Sequence, residues 1–119
     1  MRKEDLPYDA WKAWDAMSEY ERELLGAPSH RSSRCLACGK VAQNDHHVIP
    51  KRMGGRCKEI LRLIPTVSLC GLGNASGCHK LAHEGRLHFR YRDGWEVLKT
   101  PIPMSHERAF QCHDNAKKS

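Results

Sequence analysis

The chain of 119 residues predicts a small α+β domain that needs a staple, with a helix in front of it and a β-hairpin behind it. Three observations predict this class. Two short strand-like runs, at 41–49 and 65–70, lead into a short helical run at 78–84. Hydrophobic residues make up 39% and aromatic residues 7%, a thin supply for the core of a domain this size. Four cysteines are spaced as Cys35-x-x-Cys38 and Cys70-x7-Cys78, two half-sites for one tetrahedral zinc ion, which is the staple.

Taken in order, residues 9–25 predict one helix. Asp9 is its expected N-cap, and Trp11, Trp14, Met17, Leu24 and Leu25 fall near one stripe at helical spacing, a packing face. Gly26 and Pro28 stop it. Residues 28–34 read as a polar, basic, solvated connector in which His30 has no role. Cys35 to Lys40 reads as a knuckle, and Val41 to Ile49 as a strand ended by Pro50. Residues 51–58 are a loop with Gly54-Gly55, and 59–64 a short helix or turn. Pro65 to Cys70 is a second strand, with Val67 and Leu69 alternating.

The run from Gly71 to Gly77 holds three glycines, so the backbone can loop back tightly before a helix that starts at Cys78 and stops at Gly85. Leu87 to Tyr91 and Trp95 to Leu98 alternate as a hairpin around Arg92-Asp93-Gly94; His88 in it could face the DNA or the site, with a plain surface histidine the favoured reading. Pro101 and Pro103 break the chain, and Ser105 caps a last helix that runs to Asn115.

The first residues, Met1-Arg2-Lys3, lead into Glu4 and Asp5 with no apolar stretch, so no secretory leader is expected, and no run reaches membrane-spanning length. The expected compartment is the cytoplasm, where thiols stay reduced. A Cys-x-x-Cys there is a metal or redox pair, and no βαβ frame for the redox version surrounds Cys35 and Cys38. Cys57 competes with Cys70 as a zinc ligand. Cys70 is preferred because Leu69 ends a strand pattern that positions it; Cys57 and Cys112 are then ordinary thiols. A two-Cys, two-His finger is disfavoured, because 40 residues separate Cys38 from His79 where such fingers have about twelve.

A second metal site is written in the histidines. His79 and His83, at i and i+4, share one helical face and can grip one ion. The tandem His46-His47 can supply a third ligand and a further imidazole beside it, which is what a metal-assisted hydrolase needs as a general base. Because successive helical residues are rotated by about 100°, Cys78 can face the zinc while His79 faces the second ion. The zinc would then pre-organise the helix that carries the second set of ligands.

Cys35-Leu-Ala-Cys38, Asp45-His46-His47-Val48-Ile49-Pro50, Met53-Gly54-Gly55 and Leu69-Cys70-Gly71-Leu72-Gly73-Asn74-Ala75-Ser76-Gly77-Cys78-His79 with His83 together resemble the HNH endonucleases, of the small type found in phages and bacteria. The resemblance covers about residues 34–100 and implies a ββα-metal (HNH) nuclease domain there. Residues 1–33 would be an N-terminal helix and basic linker, and 101–119 a C-terminal tail or helix. It also supports Cys70 in the zinc site. It implies that His46 is a metal ligand with His79 and His83, similar to the His-rich sites of colicin-type nucleases, and that His47 is the general base. Asp45 would orient a histidine. Where the family has its central Asn this chain has Pro65, followed by Thr66, whose hydroxyl could brace the loop carrying His47; Asn74 is a less favoured stand-in.

The implied reaction is hydrolysis of a DNA phosphodiester, with a structural Zn and one catalytic divalent metal, Zn, Ni, Co, Mn or Mg. The formal net charge of +6, from 20 Lys plus Arg against 14 Asp plus Glu, suits a polyanionic partner. Lys51, Arg52 and Arg56 flank the turn after His47 and are the expected phosphate contacts. Two other classes fit the same residues: a non-catalytic zinc-stabilised nucleic-acid-binding module, and an accessory protein of a phage or bacterial DNA-processing complex.

Overall fold

Two four-residue strands form the pivot of the molecule. In the computed structural model, which describes residues 1–49, 57–73 and 75–117, β1 (Asn44–His47) pairs antiparallel with β2 (Thr66–Leu69). The register sets Asn44 against Leu69, Asp45 against Ser68, His46 against Val67 and His47 against Thr66. Both strands are shorter than their alternating patterns suggest. Val41 leaves the ladder to make an isolated bridge with Arg34 across the base of the cysteine knuckle.

The connector at 28–34 is not merely solvated. The His30 backbone N–H donates to the Thr66 carbonyl, and the Ser68 N–H donates to the His30 carbonyl, at 2.9 and 3.0 Å. This segment therefore lies along the edge of β2 that β1 leaves open, and it satisfies backbone groups that a buried edge could not leave bare. Sequence patterning missed it because the segment has polar side chains without strand alternation and pairs mainly through its main chain.

The N-terminal stretch departs from a single helix over 9–25. Tyr8–Ala10 is a 3-10 turn, α1 spans Trp11–Ala16 and α2 spans Glu19–Leu24. Asp9 lies inside the 3-10 turn and caps nothing. The break has a local cause, a capping box at Ser18-x-x-Glu21. The Ser18 hydroxyl accepts from the Glu21 N–H at 3.2 Å, and the Glu21 carboxylate accepts from the Ser18 N–H at 2.9 Å. The expected apolar stripe still packs inward: Trp14, Met17, Leu24 and Leu25 are buried.

Further along come α3 (Lys58–Leu63), α4 (Gly77–His83), the hairpin strands β3 (Leu87–Tyr91) and β4 (Trp95–Lys99), and α5 (His106–Lys117). The fold is thus α+β, with helices around two small antiparallel sheets. The β3–β4 turn has Asp93 and Gly94 at positive φ, 56° and 145°. Ser105 caps α5 by accepting from the Arg108 N–H at 3.2 Å.

One apolar cluster runs through the molecule from Leu6 to Phe110, so the N-terminal helices and α5 share a core with the sheets. Phe89 lies at its centre, 1% exposed. The Tyr20 hydroxyl donates to the Phe89 carbonyl, tying α2 to β3. At the far end Arg90, itself buried, makes a bidentate pair with Asp114 of α5 at 2.8 and 3.2 Å. It also pairs with Glu96 at 2.7 Å and lies 4.4 Å from the Phe110 ring centre. A cation this buried costs several kcal/mol if left unpaired, and here two carboxylates offset that. Among the described residues, no helix is long and apolar enough to cross a membrane.

Candidate metal centres

Two clusters of ligand side chains form around the loop between β2 and α4. Cys35, Cys38, Cys70 and Cys78 make the first; His46, His79 and His83 make the second. Within each, the ligand atoms lie within 4.8 Å of one another.

The cysteine cluster is built by backbone turns. Cys35 and Cys38 sit in a tight knuckle, where the Cys35 N–H donates to the Lys40 carbonyl and the Gly39 N–H to the Cys35 carbonyl. Cys70 follows β2 directly, and Cys78 enters at the start of α4. Bringing these two together needs the seven-residue insert to close on itself, and Gly71 and Gly77 are what permit it. Their φ values are +119° and +69°. A Cβ on Gly71 would lie 1.9 Å from the Ser76 carbonyl oxygen, and one on Gly77 would lie 2.7 Å from both the Cys70 carbonyl oxygen and the Gly71 Cα. No side chain fits there.

The donor set matches a zinc ion. Cys38 Sγ and Cys70 Sγ are 3.5 Å apart, near the edge of about 3.8 Å that a tetrahedron with Zn–S bonds of about 2.3 Å requires. The Cys78 N–H points at Cys70 Sγ from 3.4 Å. Burial raises the Cys35 thiol, but the N–H groups of Cys70, Cys38 and Ala37 directed at its sulfur outweigh that and bring its pKa down to about 7. Burial and the neighbouring sulfurs of Cys70, Cys35 and Cys38 push Cys78 far the other way. Four thiolates cannot ionise together in so small a space without a cation among them. A divalent ion removes that conflict. Cys57 lies outside the cluster, with its thiol 3.3 Å from the Glu59 carboxylate, and Cys112 is exposed on α5.

The histidine cluster draws on two elements. His46 comes from β1, and His79 and His83 from one face of α4. The Nε2 atoms of His79 and His83 are 3.2 Å apart, close to the edge of about 3.3 Å expected for two imidazoles on one zinc-sized ion. His79 Nδ1 lies 2.6 Å from the Gly73 carbonyl. A carbonyl only accepts, so Nδ1 carries the proton and Nε2 turns its lone pair to the cluster, the usual way a backbone group orients a metal-binding histidine. Nothing in the sequence marked Gly73 for this; its part depends on the loop doubling back.

The His46 ring meets His79 and His83 edge-on at 5.3 and 5.5 Å, with the Phe89 ring as a wall at 5.9 Å. Burial, then repulsion from His79 and His83, hold the His46 pKa down at about 3, so its imidazole is neutral and able to ligate. Burial and His79 lower His83 in the same sense. A soft-to-borderline divalent ion suits three neutral imidazoles, and the residues present fit one.

The other expected site residues fall elsewhere. His47 follows His46 on β1 and lies outside the ligand set, as the period-two alternation of a strand requires. Asp45 is exposed, and strand alternation puts it on the face of β1 away from His46 and shared with His47. Thr66 stands opposite His47, and among the described residues its buried hydroxyl has no hydrogen-bond partner. The Thr66 main chain is held by the connector: the Ser29 hydroxyl accepts from the Thr66 N–H at 3.0 Å. Lys51, Arg52, Arg56 and Asn74 lie outside the described residues.

His88 is fully buried on β3, not at the surface, because the N-terminus of α5 packs over that side of the hairpin. No family model matches the chain, and comparison with curated proteins and with solved structures returns no match.

Proposed function

We propose that the chain is a metal-dependent endonuclease of the HNH class that hydrolyses phosphodiester bonds in DNA, with β1, β2 and α4 as its ββα-metal core. The observation that carries this reading is the convergence of His46, His79 and His83 with His47 one residue away and outside the ligand set. An imidazole outside the ligand set can take a proton from water beside a metal without being spent as a ligand, which supports the reading.

His46, His79 and His83 would hold a divalent ion, which when bound would supply positive charge to a phosphate in the site. His47 accepts the proton of the attacking water. His79, locked in one tautomer by Gly73, and His46, walled by Phe89, keep their lone pairs aimed inward. The four cysteines hold α4 against β2, so a zinc ion there acts on the reaction only by fixing His79 and His83 in place. Lys51, Arg52 and Arg56 supply phosphate contacts in this reading. The products carry 5′-phosphate and 3′-hydroxyl ends.

The test is plasmid cleavage by the zinc-loaded protein in the presence of Mg, Mn, Ni, Co or Zn. Nicking with at least one metal is expected; no nicking with any of the five overturns the reading. The unpartnered Thr66 hydroxyl, next to the position where the family has its Asn, favours one second reading, a zinc-stabilised module that binds nucleic acid without cutting it. DNA binding without cleavage under every metal selects it.

A further inference from the structure

Apart from the histidine cluster, a chain of polar side chains is unused by the proposed reaction: His88 and Thr100 are buried and His106 is half-buried. His88 Nδ1 and His106 Nδ1 are 2.6 Å apart, and His88 Nε2 is 3.2 Å from Thr100 Oγ1. Thr100 Oγ1 lies 2.8 Å from the Ile102 carbonyl. His88 is on β3, Thr100 follows β4, and His106 is the first residue of α5. The chain therefore ties the start of the last helix to the hairpin.

Proton accounting makes both rings neutral. The carbonyl only accepts, so the Thr100 hydroxyl donates to Ile102 and its oxygen accepts from His88 Nε2–H. His88 Nδ1 is then bare and accepts from His106 Nδ1–H. One proton lies between the two rings. A further proton leaves a buried positive charge, with no carboxylate hydrogen-bonded to either ring among the described residues, and at the positive end of a 12-residue helix. Two further protons set N–H against N–H across 2.6 Å.

We propose that the His88–His106 pair is an acid-sensitive latch, which when neutral holds the N-terminal end of α5 onto β3 and when charged releases it. The latched helix end forms one wall of a cavity of about 290 Å³, whose other walls include Tyr20, Val48 and Ile49. Val48 and Ile49 directly follow His47, so release of the helix loosens the packing behind the proposed catalytic turn.

Other charged or titratable groups face the pair from each neighbouring element. Tyr20 of α2 stacks on His106 with ring centres 5.0 Å apart, and its phenol is held neutral by burial, far above the usual tyrosine range. Glu21 from α2 and Glu107 from α5 line the same cavity. His46 of β1 interacts electrostatically with His106. Arg90, two residues on from His88, is paired with Glu96 and Asp114.

Burial, then His88, hold the His106 pKa at about 4, and burial lowers His88 as well. An opened chain has histidines near 6.5. Above that value neither state takes up protons and the latch strength is constant. Between about 6.5 and 4 the opened state binds more protons, so the opened population grows as pH falls. The growth is at most about tenfold per pH unit for one proton and about a hundredfold for two.

The test is hydrogen exchange of the full zinc-loaded chain from pH 7.5 to 4.5, corrected for intrinsic rates, with side-chain nitrogen spectra of the histidines. Protection of the α5 amides is expected to be flat above about pH 6.5 and to fall more than tenfold per unit below it. His106→Asn keeps an amide donor for His88 but does not titrate, so its dependence should be shallower, by up to about tenfold per unit. Flat wild-type protection, or an unchanged slope in the variant, overturns the proposal. If the variant leaves α5 unprotected at every pH, the wild-type spectra decide. Two neutral rings of opposite tautomer at pH 7 support the latch, and a charged ring or matching tautomers overturn it. A metal-sensitive dye in the same samples reports zinc release, and protection lost only after zinc is lost also overturns it.

Discussion

His46 and His47 are neighbours in sequence and part company in space. A strand turns successive side chains to opposite faces, so one joins the His79–His83 pair and the other does not. If His47 is the general base, His47→Ala should slow cleavage by about 10² to 10⁴-fold and leave metal binding nearly unchanged. His46→Ala should instead weaken binding of the second metal, with some activity returning at high metal concentration. Calorimetric metal titration beside plasmid nicking rates separates the two. Loss of the metal in His47→Ala but not in His46→Ala reverses the assignment. The tandem and the His-x-x-x-His were visible in the sequence because their spacing is local. The oxygens around them were not. Asp45 faces away, Thr66 is engaged through its main chain, and the carbonyl that orients His79 belongs to Gly73.

Short elements here are decided by caps and close approaches more than by periodicity. The apolar stripe of residues 9–25 is real, yet Ser18 and Glu21 divide it into two helices at an angle the stripe does not reveal. Ser18→Ala removes the side-chain acceptor and should cost about 1 kcal/mol, read as a lower denaturant midpoint with an unchanged slope. The loop from Gly71 to Gly77 has the opposite character, with two glycine Cα atoms packed where no Cβ fits. Gly77→Ala should push Cys70 and Cys78 apart and leave less than one zinc per chain in elemental analysis of the purified protein. Full zinc content in that variant would mean that the loop has another way to close.

For the molecule as a whole, the cysteine cluster and the core around Phe89 act together. A single cluster joins the N-terminal helices, both sheets and α5, but the aromatic content that supplies it is 7%. Chelating the zinc should therefore cost much of the cooperative fold, because ligand binding and folding are linked. Cys35→Ser should lower the melting temperature markedly, and the wild type should carry one tightly bound zinc per chain. A zinc-free purified protein, or unchanged melting of Cys35→Ser, would contradict this. Phe89→Ala should cost about 3–5 kcal/mol, as expected for an aromatic ring removed from a packed centre, and should also loosen the wall behind His46.

By itself the sequence determined what is local: the four cysteines and their order, the His-x-x-x-His face, the hairpin at Arg92-Asp93-Gly94, the Ser105 cap and the two short strands. These follow from spacing, turn chemistry and period, which act over a few residues. Only the tertiary structure decided that residues 29–30 pair along β2, that His88 is buried, and that it meets His106 eighteen positions away. Those outcomes depend on how α5 and the connector dock. Docking is set by the sum of many buried contacts, and no short stretch of sequence carries that sum.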